Sequence, residues 1–120
     1  MKVKLNIKPD EPTRNGHIYP KDIIEREILL RELPVYLGVG NGELNDLTDL
    51  IGFAKSELNE NNEIVCDINF LNNPASDIFK MTLFSNFEYT IKGFGEVSED
   101  KKIIDFKCSS INIIDKEEGE

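Results

Sequence analysis

Apolar residues recur at every second position over residues 64–71, where Ile64, Cys66, Ile68 and Phe70 face one way and Asp67 and Asn69 the other. A period of two is the signature of a strand with one buried face. The same alternation runs through residues 2–7 (Val3, Leu5, Ile7) and again where Phe87, Tyr89 and Ile91 interleave with Glu88, Thr90 and Lys92. In the last apolar stretch, Ile104, Phe106 and Cys108 share one parity and Ile111 and Ile113 carry the other. The buried face therefore switches near Ser109-Ser110, which predicts a bulge or sharp bend of the kind small barrels use. Extended segments are also predicted at 35–39 and 51–57, with turns at 60–63 and 98–101.

Two helices interrupt these strands. Pro20-Lys21-Asp22 opens one that is predicted to run to Leu33, with Ile23, Ile24, Ile28, Leu29, Leu30 and Leu33 as its apolar set and Pro34 as its stop. Asn73 as N-cap and Pro74 at the first helical position start the second, which is predicted to run to about Phe84 and to bury Ala75, Phe79 and Leu83. Residues 8–16, rich in Pro, Asp, Asn and Gly, form a loop. About six or seven strands and two helices in an antiparallel-rich order predict an α+β fold. Its core is a small, mostly antiparallel sheet, closed or nearly closed like a barrel. No repeat or linker divides the chain, so residues 1–115 are expected to form one domain and 116–120 a charged, frayed tail.

Composition narrows the function classes. With 39% hydrophobic and 31% charged residues, the chain has an ordinary globular balance. No run approaches the roughly 18 apolar residues of a membrane span, and the N-terminus lacks the apolar stretch of a signal peptide, so the protein is not expected to be secreted. A net charge of −9 repels phosphate backbones and anionic membrane surfaces. It leaves two readings open: attraction to a basic protein surface, or solubility alone. The two cysteines, Cys66 and Cys108, lie apart on apolar strand faces, and His17 is the single histidine. That is no zinc ligand set, and the cysteines are expected to be buried free thiols. The Gly38, Gly40, Gly42 triplet lacks the Lys-Ser/Thr of a phosphate loop, and no cofactor is expected.

Nucleophilic hydrolysis needs a Ser, Cys or Thr beside a base. His17, next to the Asn15-Gly16 turn, reads as a surface or packing residue, and Arg14 to Pro20 as a brace for the helix that follows. Carboxylates such as Glu43, Asp46, Asp49 and Asp105 are plentiful, but sequence spacing pairs none of them.

Three stretches, in order, resemble the prohead (capsid maturation) proteases of tailed phages, a family that shares its fold with the herpesvirus assemblin proteases. Arg14-Asn15-Gly16-His17-Ile18-Tyr19-Pro20, with Ile23 to Ile28 after it, is similar to the family's "NGRIYP" opening and its helix. Gly42-Glu43-Leu44-Asn45-Asp46 stands where the family reads "GELDH". Tyr89-Thr90-Ile91-Lys92-Gly93-Phe94-Gly95-Glu96-Val97 stands where it reads "ISSRGSGEV". The resemblance implies an assemblin-like fold across nearly the whole chain. It also implies that the catalytic residues are lost: Asp46 holds the place of the family's His and Thr90 that of its nucleophilic Ser. The expectation is a non-enzymatic phage component that binds capsid or scaffold proteins, with a second copy of itself as a further candidate partner. It would reside in the virion, or in the host cytoplasm during assembly. The implied binding surface gathers Glu43, Asn45, Asp46, Asp49, Glu88 and Lys92, with Thr90 on the strand face of the last two. The alternatives are a degenerate but active endopeptidase that uses Thr90, and a phage-encoded factor that binds a host protein.

Overall fold

The computed structural model of the chain describes residues 1–37, 49–81 and 87–115. In chain order it comprises β1 (Lys2–Lys4), α1 (Lys21–Ile24, continued by a π turn over Glu25–Leu29), β2 (Glu32–Leu37), β3 (Leu50–Leu58), β4 (Ile64–Phe70), α2 (Pro74–Met81), β5 (Phe87–Val97) and β6 (Ile103–Asp115). The strands form one six-stranded sheet in the order β1-β4-β3-β2-β6-β5. Every pairing is antiparallel except that of β2 with β6. This is the mostly antiparallel α+β architecture that the alternating segments predict. No described helix is long and apolar enough to cross a membrane.

The sheet curls until its two outer strands approach each other. Just past β1, the Asn6 N–H donates to the Tyr89 carbonyl of β5 at 2.9 Å. Phe79 of α2, fully buried, lies 5.8 Å from the Phe70 ring of β4 and 5.4 Å from the Phe87 ring of β5, so it joins strands that stand far apart in the sheet order. β1 and β5 do not pair as strands, and the expected barrel is not fully closed. Inside the curl, Leu33, Val35, Ile51, Ile64, Cys66, Ile68, Ile111 and Ile113 form the core with Ile24 and Ile28 of the first helix. Both cysteines are buried and free, as their strand faces predict.

The parity switch in the last strand is a bulge. Lys92 pairs with Ser110 and Gly93 with Cys108, so Ser109 is the extra residue, and its hydroxyl donates to the Lys92 carbonyl at 2.9 Å. That insertion lets Phe106, Cys108, Ile111 and Ile113 all reach the core. The strands press close beyond it. A Cβ on Gly93 would sit 2.1 Å from the Lys107 carbonyl oxygen, and one on Gly95 2.2 Å from that of Asp105, so neither position accommodates a side chain.

Other expectations need correction. The first helix ends a turn early: Leu30 is 81% exposed, and Leu33 is buried in β2, not on the helix. Pro34 sits within β2, one residue before pairing to β6 begins at Val35, so its missing N–H costs the parallel ladder nothing. Ile104 is exposed, and Ile103 takes the core position in its place. A second irregularity explains the exchange, because Glu96 pairs with Asp105 and Val97 with Ile103. The second helix starts as predicted, with the Ser76 N–H donating to Asn73 Oδ1 at 2.8 Å. Its predicted extension to Phe84, and the place of Leu83, lie outside the described residues.

Candidate functional site

Three segments, with Ile114 of β6, converge on a cleft of about 340 Å³ at the seam of the curled sheet. Asn6 and Ile7 line it from the chain after β1, and Glu88, Thr90 and Ile91 from β5. The wall opposite is the 8–19 loop, through Thr13, Arg14, Asn15, His17 and Tyr19. That loop is held by its backbone. The Thr13 N–H donates to the His17 carbonyl and the Gly16 N–H to the Thr13 carbonyl, both at 2.8 Å. Asp10 in the same loop accepts the Lys21 N–H at 3.2 Å, which caps α1 where Pro20 offers no side-chain cap. Tyr19 packs edge-on against Phe106, ring centres 5.4 Å apart. Burial pushes the Tyr19 hydroxyl above its usual range.

Glu88 is the one carboxylate among the described lining residues. Its Oε1 accepts from Arg14 Nη2 at 2.5 Å and from Asn6 Nδ2 at 3.2 Å. Its Oε2 is buried and accepts no hydrogen bond. A buried carboxylate oxygen without a protein donor is costly unless a water or ligand supplies one. Along the same strand face, Thr90 stands opposite Asn112 and Lys92 opposite Ser110. Asn112 and Ser110 are both 1% exposed, and the Ser110 hydroxyl donates to Asn112 Oδ1 at 2.8 Å. The Lys92 ammonium is also buried without an acceptor. A polar stripe thus runs along β5 and β6 on the side away from the core.

Of the residues that the sequence nominated, Glu88, Thr90 and Lys92 do share one strand face. Glu88 and Thr90 line the cleft; Lys92 lies beyond it. Asp49 does not reach it. Its neighbour Leu50 pairs with Tyr36, Tyr36 with Asn112, and Asn112 with Thr90, which puts Asp49 three strand spacings away, roughly 14 Å. Glu43, Asn45 and Asp46 lie outside the described residues. The described cleft is not the acidic patch that the charge count suggested: amides, hydroxyls, an imidazole and an Arg–Glu pair line it. His17, read as a surface or packing residue, lines the cleft together with Thr90. Asn6 and the pairing of Arg14 with Glu88 carried no signal in the sequence beyond the position of Arg14 in the first motif.

A second polar centre lies behind the first helix. Glu27, 4% exposed, accepts the Cys108 N–H at 2.9 Å and Arg31 Nη1 at 3.2 Å on Oε1, and Arg26 Nε at 3.3 Å on Oε2. Arg31 also donates to the Cys108 carbonyl at 2.7 Å. The Cys108 N–H, with the cations around it, holds the Glu27 carboxyl below its usual range despite burial. Burial pushes the Cys108 thiol up to about 11. This centre fastens the helix to the bulge in β6. Among the described residues, no three His, Cys, Asp or Glu side chains converge as metal ligands would.

No protein-family model matches the chain, and no curated protein or solved structure shows significant similarity to it.

Proposed function

We propose that the chain is a non-catalytic, assemblin-like protein of a tailed phage that binds capsid or scaffold proteins through the cleft at the sheet seam. The resemblance of its three motifs to the prohead proteases supplies the class. The observation that carries the non-catalytic reading is the engagement of Glu88. The carboxylate nearest Thr90 along the strand commits its Oε1 to Arg14 and Asn6, which supports a role in holding the cleft. A fold built to receive an extended chain keeps a groove when its catalytic residues go, and that groove remains a binding surface.

Capture of the neighbouring capsid or scaffold protein on immobilised chain tests this reading. Binding is expected to weaken in Thr90→Arg, which fills the cleft, and in the double reversal Glu43→Lys with Asp46→Lys. Added salt is expected to weaken it as well. Binding that survives all three places the partner surface elsewhere.

The presence of His17 in the cleft favours one second reading, a degenerate endopeptidase that uses Thr90. Under the first reading the capsid protein stays intact on incubation with the chain. Fragments that vanish in Thr90→Ala establish the second.

A further inference from the structure

The distal half of β5 is a strand edge left open. β5 is the last strand of the sheet, and its only strand partner among the described residues is β6. Near Tyr89 the edge is closed by the Asn6 N–H. Farther along, Phe94 to Val97 are all exposed, and Phe94 is 77% exposed. Folds usually blunt such an edge with irregularities in the strand itself. Here both irregularities fall on the other strand: Ser109 and Ile104 are the extra residues, and both belong to β6. β5 is therefore regular from Ile91 to Val97, and its exposed part runs from Phe94 to Val97.

Two charges on this stretch lack counterparts. Glu96 pairs directly across from Asp105, and like charges so placed repel. Lys92 holds its ammonium buried with no acceptor. Both lie on the face of β5 that carries Phe94. We propose that this edge pairs with the same edge of a second copy of the chain, antiparallel and centred on Phe94. In that register each residue meets the one equally far beyond Phe94. Lys92 meets Glu96 twice, Phe94 meets Phe94, Gly93 meets Gly95, and Ile91 meets Val97. The pairing offers an acceptor to Lys92, whose ammonium swings out of its buried position to reach it, gives Glu96 a cation of its own where Asp105 already has Arg26 at 3.7 Å, and covers the exposed ring. Centring on Thr90 would also match Glu88 with Lys92, but there Asn6 blocks the edge and Arg14 already holds Glu88. Centring on Gly93 or Gly95 pairs neither charge with its opposite. The inference does not depend on what the cleft binds.

Sedimentation of the whole chain across a wide concentration range tests it. A reversible dimer is expected. Lys92→Glu and Glu96→Lys should each raise its dissociation constant by roughly tenfold, since two opposite-charge pairs become like-charge pairs. The double variant should restore it. Glu96→Lys also removes the repulsion with Asp105, so its effect on the dimer cannot be put down to lost folding. Phe94→Cys should form a disulfide between copies on mild oxidation, because Cys66 and Cys108 are buried and do not compete. A chain that is monomeric at every concentration overturns the proposal and leaves the edge to a strand of a different protein. A dimer indifferent to both single reversals, a double variant that fails to recover, or a Phe94→Cys chain that stays uncrosslinked overturns the register.

Discussion

Glu27 and Glu88 are both largely buried, and they lie on opposite sides of the same strand pair. Glu27 reaches β6 from the helix side and has donors on both oxygens. Glu88 points from β5 into the seam and has donors on one oxygen only. A carboxylate with full hydrogen bonding fixes geometry; one with a bare oxygen keeps an unmet demand at a surface. The contrast sets a residue that holds the fold against one that, on the proposed function, meets a partner, and mutation can break it.

The largest effect is expected from Glu27→Ala, which leaves the Cys108 N–H without an acceptor and takes the buried carboxylate from Arg26 and Arg31. It should destabilise the fold by about 3 kcal/mol, read by denaturant unfolding. If the cost matches that of an exposed residue, Glu27 is not the anchor described here. The pH dependence follows with a defined sign. The native carboxyl titrates below its ordinary value of 4.5. Its contribution is therefore complete above about pH 4.5 and is lost as pH falls through the lower native value. Glu27→Gln should flatten the acid side of the stability profile in that window.

Thiol labelling sharpens the comparison. Buried Cys108 should react only as fast as the fold opens. Glu27→Ala should speed that reaction and Glu88→Gln should not. The smallest stability effects belong to the cleft. Arg14→Ala is expected to cost about 1 kcal/mol or less, because the Arg14 side of the ion pair is half exposed. His17→Ala should cost about as little. If either variant loses partner binding at unchanged stability, the cleft is the functional surface. If both bind as the parent does, the comparison fails on the Glu88 side.

What the sequence made legible was whatever depends on parity. Cys66, Ile68, Cys108 and Ile111 went to the core because alternation placed them there, and the jump in parity located the bulge near Ser109-Ser110, where Ser109 proves to be the extra residue. Leu33 defeated the same logic. An apolar residue four positions after Leu29 fits a helix stripe, and only Val35, paired to both Gly52 and Ile111, shows why the chain turns into the sheet at that point. The π turn had no local signature. The site was half legible: alternation put Glu88, Thr90 and Lys92 on one face. The Arg14–Glu88 contact joins residues 74 positions apart, and nothing local marks either as the other's partner. Glu27 was invisible for a related reason. A Glu within a charged helix reads as solvated until the strand that covers it is known.

The place of β6 in the middle of the sheet has a consequence for synthesis. It is the last of the described strands in chain order, yet it sits between β2 and β5. As the chain leaves the ribosome, β1, β4, β3 and β2 can assemble as a four-stranded unit whose growing edge is β2, with Val35 at its centre. That edge stays bare until residues 103–115 emerge and insert, and such a bare edge invites pairing with whatever strand is near. Completion of the fold therefore waits on its most distant contacts, and a chain truncated before Ile103 should accumulate as aggregate where a smaller, stable domain would otherwise be expected.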